Sequence, residues 1–187
     1  MYRVFISILS GLLLITSCNN ATQQHTNPTA TPLTKQHFDL KGFFESELYQ
    51  IDKEAYFIYQ KTTQQQRTDS MALNMAACTA KAAPFLALNV SDNKAFTEST
   101  FNDNTTQSIT LTYKPTDLNQ PVQSVDVLVD ETSGKVKRVF AKLVRSENNM
   151  VTEQTLSWKA GKSFSIITSV NNGGIASVTQ EQVIWNE

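Results

Sequence analysis

Few side chains in this chain could do covalent, metal or acid–base chemistry. The 187 residues include two cysteines and two histidines. Both histidines, His25 and His37, lie in or beside a polar N-terminal stretch, so none is expected inside the folded part. Without one, a nucleophilic triad, a zinc cage or a proton shuttle cannot be assembled there. Cys78 stands in MALNMAACTAKAAPF at helical spacing from Met71, Met75, Ala82 and Phe85. That is the pattern of a buried small hydrophobe; an activated thiol needs cationic neighbours. GxSxG, CxxC and HExxH do not occur. Ala160-Gly161-Lys162-Ser163 ends like a phosphate-binding loop, but Leu156 stands where that loop needs its first glycine, and the run reads as a hairpin turn. Asn102-Asp103-Asn104 has calcium-like polarity with one carboxylate and reads as a turn. Paired carboxylates remain, because glycoside hydrolysis needs only two. Asp126 and Asp130 share one face of a strand, and Glu153 and Glu181 lie on other strands, although such residues more often line the wet side of a half-exposed sheet. No catalytic residue, metal ligand or cofactor is expected, and a glycan-acting hydrolase is the least favoured reading.

Cys18 separates a twelve-residue, mostly apolar run (residues 4–15) from the polar, amide-rich NNATQQ, with the lone cation Arg3 in front. Such a run is too short to cross a ~30 Å hydrocarbon core as a helix and reads as a signal peptide over residues 1–17. Ile15-Thr16-Ser17-Cys18 resembles a bacterial lipobox, with a branched aliphatic and two small residues before the cysteine. In lipoproteins of that class the thiol is alkylated with diacylglycerol, the signal is cut before it and the new amine is acylated. The resemblance makes Cys18 the lipidation site and the membrane anchor. Each buried CH₂ contributes ~0.8 kcal/mol, and two acyl chains already suffice for stable attachment. A thioether at Cys18 leaves Cys78 as a free thiol, so no intramolecular disulfide holds the fold.

After the lipidated cysteine, residues 19–36 hold no acid, no aromatic and one large aliphatic, Leu33. Residues 18–36 therefore read as a flexible tether, its ends ~20–25 Å apart. By resemblance to known sorting rules, Asn19 after the cysteine implies delivery to the outer membrane. The missing acidic cluster is unlike the surface-export signals of Bacteroidota lipoproteins and implies the periplasmic face.

Residues 37–187 are enough for a single domain with one core. Without Arg3, fifteen cations face seventeen anions, which gives no electrostatic footprint for nucleic acid. Ser, Thr, Asn and Gln make up 66 of the 187 residues, so the expected surface is polar and uncharged and steers no charged substrate. Asp39 is placed to cap a helix, with Phe38 and Phe43 as a hydrophobic staple. Leu40, Phe43, Phe44, Leu48, Ile51 and Ala55 follow on one helical stripe. AYFIYQKTT and QQQRTDSM read as a small hairpin turning near residues 64–66. An alanine-rich helix from about Ser70 meets Pro84, where it kinks or restarts. Then QSITLTYK, SVDVLVD, KVKRVFAKLV, MVTEQTLSW, SFSIITSV and IASVTQEQVIW are strand-like and mostly joined by short turns. The expected fold is α+β: two or three helices on one face of a curved antiparallel sheet of about six strands in meander order, preceded by a small hairpin.

FDLKGFFESEL, the hairpin, the alanine-rich helix, LTY and KVKRVFAKLVRSENNMVTEQTLSWKAGKSFSI resemble small lipoproteins of Bacteroidota over most of residues 38–185. The resemblance implies a compartment and a shape, and neither an activity nor site residues. Asp69-Ser70-Met71 resembles the acceptor of Bacteroidota O-glycosylation, which makes Ser70 a candidate for that modification. Two non-enzymatic readings lead. In one, an accessory or scaffold module docks an envelope protein. In the other, a half-barrel cavity carries a lipid or other apolar ligand. Val136, Phe140 and Val144 alternate with Val139, Ala141 and Leu143, so both faces of that strand look apolar, as a cavity wall or a bulge near Val139 would require. Tyr113, Phe140, Trp158 and Trp185 are the candidate binding-face aromatics, with the sheet core as their ordinary alternative role.

Overall fold

The first helix begins on its expected cap. The computed structural model describes residues 37–186; the signal run, Cys18 and the tether lie outside the described residues. The Asp39 carboxylate accepts the Gly42 N–H at 3.0 Å, and Phe38 packs on Phe43 with ring centroids 6.2 Å apart. Helix α1 (Leu40–Lys53) buries Leu40, Phe44, Leu48 and Ile51, one stripe at helical period. Ala55 does not continue the stripe: at φ 49° it is left-handed, and the backbone N–H groups of Ala55 and Tyr56 return to the carbonyls of Asp52 and Ile51. This is a Schellman termination with alanine where glycine is usual.

Strand β1 (Ile58–Gln64) turns through Gln65-Gln66, with φ of 48° and 66°, into β2 (Arg67–Leu73). Two consecutive positive φ values match the twist of a hairpin. The second helix starts later than expected, because residues 70–73 are held in β2 by pairing with β1; Asn74 caps α2 (Met75–Lys81) by accepting from the Ala77 N–H at 2.8 Å. Pro84 then sits in the first turn of a new helix, α3 (Ala83–Leu86), so the chain restarts there as predicted.

The remaining strands are β3 (Phe96–Asp103), β4 (Ser108–Pro115), β5 (Val122–Asp130), β6 (Val136–Glu147), β7 (Met150–Lys159), β8 (Ser163–Asn172) and β9 (Ile175–Ile184). All pairing is antiparallel, in the order β2-β1-β9-β8-β7-β6-β5-β4-β3. The sheet therefore has nine strands where about six were expected. Two of the extra strands are the hairpin, which joins the meander through β1 against β9 and does not stand apart from it. The third is β3, an exposed edge strand whose Phe96 and Phe101 fall on opposite faces and give no alternation to read. The sheet is open, ending on β2 and β3.

One face carries the core. Gln60, Val183, Phe164, Trp158, Val139 and Val127 align in one register row, and Ile166, Leu156, Ala141, Val125 and Tyr113 in the next. Phe44 from α1 and Phe85 from α3 meet Trp158, each with centroids 5.1 Å away, and Trp158 stacks on Phe164 at 4.9 Å. One row further along the same face the side chains turn polar, with Thr179, Thr168 and Gln154. A bulge accounts for part of the mixed apolar pattern of β6: Arg138 pairs with Leu128 and Val136 with Val129, so Lys137 is skipped and Val136 turns toward the core, while Phe140 and Val144 stay on the far face.

Candidate docking surface at the β1–β2 edge

The side chains singled out for chemistry are occupied or dispersed. Cys78 is fully buried, and that burial pushes its thiol up to about 11, the opposite of nucleophilic activation. His37, expected beside the tether, is instead buried: its Nδ1 donates to the Val90 carbonyl at 2.6 Å and its ring lies 5.1 Å from that of Tyr113. Asp126 and Asp130 do share a face, turned away from the helices. Four strand residues span ~13 Å, beyond the carboxylate separations of glycosidases. Asp126 accepts from the Thr112 hydroxyl at 2.6 Å. Asp130 is held below the usual carboxylate range by the Ser133 N–H first, then the Ser133 hydroxyl and Lys137. Glu153 pairs with Lys142, and Glu181, on the helix side, accepts from Lys81 and from Gln60. In the β3–β4 turn, Asp103 is lowered to about 2 by the hydroxyls of Thr105 and Thr106 and by backbone N–H groups, as a turn carboxylate is. Ala160-Gly161-Lys162 is the β7–β8 turn. Among the described residues, no three His, Cys, Asp or Glu side chains gather to hold a metal ion.

The four candidate aromatics separate. Tyr113, Trp158 and Trp185 are in the core. Two of them use their polar atoms inside the domain: the Tyr113 hydroxyl accepts the Phe38 N–H at 3.1 Å and donates to Glu98 at 2.7 Å, and the Trp158 indole N–H donates to Glu47 at 3.1 Å. Only Phe140 lies on the far face, half-buried, with the Arg138 guanidinium 5.4 Å from its ring. Ser70 is exposed on β2.

Exposed apolar side chains collect elsewhere, at the free edge. Because Ala55 turns the chain sharply out of α1, Tyr56 and Phe57 emerge at the surface before β1 begins, and Phe57 is 73% exposed. Phe57 stacks on Tyr59 with centroids 6.3 Å apart, and Met71 on the neighbouring β2 is 60% exposed. Phe57, Tyr59, Ser70, Met71 and Ala72 line a shallow recess of about 380 Å³. Beside it runs the outer edge of β2, which no other strand among the described residues covers. An open edge flanked by apolar side chains is a template for another chain. The sequence carried part of this signal: Tyr56, Phe57 and Tyr59 stand in AYFIYQKTT, but strand periodicity alone does not tell which aromatics stay outside.

No family model matches this chain, and no curated protein or solved structure is significantly similar to it.

Proposed function

We propose that this chain is a non-enzymatic lipoprotein of the Bacteroidota-like kind, anchored in the outer membrane through acyl chains on Cys18 and facing the periplasm. Its folded part docks an envelope protein at the β1–β2 edge. The observation that carries the docking reading is the combination of a strand edge left uncovered among the described residues with exposed Phe57 and Met71. Large apolar groups in water beside unpaired backbone groups are costly to keep unless a partner covers them. The alternative, an apolar-ligand carrier, needs empty space between helices and sheet. Phe44, Phe85, Trp158 and Phe164 meet there ring to ring, which supports docking instead. The hydrolase reading gains nothing from carboxylates that each have a hydroxyl, amide or lysine partner.

A photo-crosslinking residue placed at Phe57 of the lipidated full chain tests the docking reading. It is expected to give one discrete envelope-protein adduct, weakened by Met71→Lys; the same residue at Leu118, 78% exposed and remote from the edge, gives none. Equal yields at both positions would overturn it. The anchor is tested separately. A Cys18→Ala chain should lose palmitate labelling and outer-membrane fractionation, and unchanged behaviour in both would remove lipidation from the proposal.

A further inference from the structure

On the face turned away from the helices, three lysines from three parts of the chain converge on one recess. Lys61 comes from β1, Lys159 from the end of β7 and Lys162 from the turn that follows, around a recess of about 280 Å³ completed by Ser163, Gln182, Ile184 and Asn186. The arrangement is tied by backbone. The Lys162 N–H closes the turn on the Lys159 carbonyl at 3.0 Å, and the Lys162 carbonyl accepts the N–H groups of Trp185 and Asn186 at 3.1 and 3.2 Å. Ile184, paired with both Ser163 and Tyr59, gives the recess a buried apolar floor.

Among the described residues, no acidic side chain lines this recess. The salt bridges among the described residues join Lys41 to Glu45, Lys81 to Glu181, Lys137 to Asp130 and Lys142 to Glu153, so none includes these three lysines. The lining residues thus carry three ammonium groups, a hydroxyl and two amides: many donors and a local excess of positive charge, in a chain whose net charge is −1. Like charges brought together repel unless a counter-ion joins them, and lysine meets phosphate oxygens as a compact point charge. We propose that this recess is a binding site for a phosphate ester, supplied either by a phospholipid headgroup or by a soluble phosphorylated compound.

Lysine footprinting with an amine-acylating reagent on the full chain tests this without any substitution. The probes are glycerol 1-phosphate in solution and, separately, vesicles of phosphatidylcholine with or without phosphatidylglycerol. Lys94, exposed in the loop before β3, is the internal reference. Lys61, Lys159 and Lys162 are expected to react about threefold more slowly once roughly two thirds of the sites are filled, with Lys94 unchanged. Slowing by glycerol 1-phosphate supports the site with a soluble ester as its ligand; slowing only on phosphatidylglycerol vesicles supports it with a headgroup. No slowing with either probe, equal slowing at Lys94, or the same slowing by sodium chloride at matched ionic strength would overturn it. A Lys61→Gln/Lys162→Gln chain should leave Lys159 unprotected, and protection of Lys159 equal to the parent would show that the lysines do not act together.

Discussion

Replacing Glu47 with alanine removes the group on which α1 and the β7–β8 turn meet. Its Oε2 accepts the Trp158 indole N–H at 3.1 Å and the Gly161 backbone N–H at 2.6 Å. Trp158 is fully buried, so its donor has no water to turn to, and a buried unsatisfied donor costs ~1–3 kcal/mol. Gly161 is exposed, and its N–H finds water at a loss of ~0.5 kcal/mol. Together the expected destabilisation is about 2–3 kcal/mol, or roughly 5–10 °C in Tm for a domain of this size. Glu47→Gln keeps a neutral acceptor and loses only the assistance of the charge, about 1 kcal/mol. Urea unfolding of the full chain, followed by tryptophan fluorescence with the slope m unchanged, measures both variants. A Glu47→Ala midpoint within ~0.5 kcal/mol of the parent, or a Glu47→Gln loss as large as that of alanine, would refute the pinning role.

Ala55→Gly relieves a side chain held at φ 49°. A left-handed alanine costs ~1–2 kcal/mol and glycine gives back part of that in chain entropy, so a net gain of ~0.5–1 kcal/mol is expected in thermal unfolding. Burial first, then the hydrogen bond to Glu98, pushes the Tyr113 phenol up to about 12 from its ordinary 10.0. Since the folded value lies above the unfolded one, the stability this adds is complete below pH 10 and is lost as the pH rises toward 12. Near-ultraviolet titration should show that late ionisation in the parent and not in Tyr113→Phe. Cys78, buried with its thiol raised to about 11, should resist thiol reagents in the native chain and react fully in denaturant, and prompt native labelling would contradict the packing.

What could be read in advance followed the strength of local signals. Helix α1 was legible because cap, staple and stripe all agree, and β4 to β9 because their apolar alternation recurs between short turns. Strand β3 was not, since an edge strand buries almost nothing on either side and needs no period. Residues 70–73 looked helical because Met, Ala and Leu are strong helix formers, and seven cross-strand pairs between β1 and β2 overrode that local preference. Trp158, a candidate binding-face aromatic, lies in the core, and His37, expected outside the folded part, is buried in it. Only the tertiary structure brings the Val90 carbonyl, 53 residues away, to its ring. The docking edge was half legible as an aromatic run, whereas the lysine recess was invisible. Its three cations are separated by up to a hundred residues, and a nearly neutral total charge conceals any local cluster.

The two proposed surfaces share a strand, which makes them separable by experiment. Lys61 lines the recess, yet its Nζ also stands 5.4 Å from the centre of the Tyr59 ring, which stacks on Phe57 as well. A change at Lys61 therefore disturbs both surfaces, through lost charge at one and a lost cation–π contact at the other. Lys162 and Met71 each belong to one surface only. Lys162→Gln should weaken phosphate-ester protection and leave crosslinking from position 57 intact, while Met71→Lys should do the reverse. Loss of both functions in each variant would mean that β1 transmits one binding event to the other surface. The ester would then be part of how the partner is recognised, not a separate ligand.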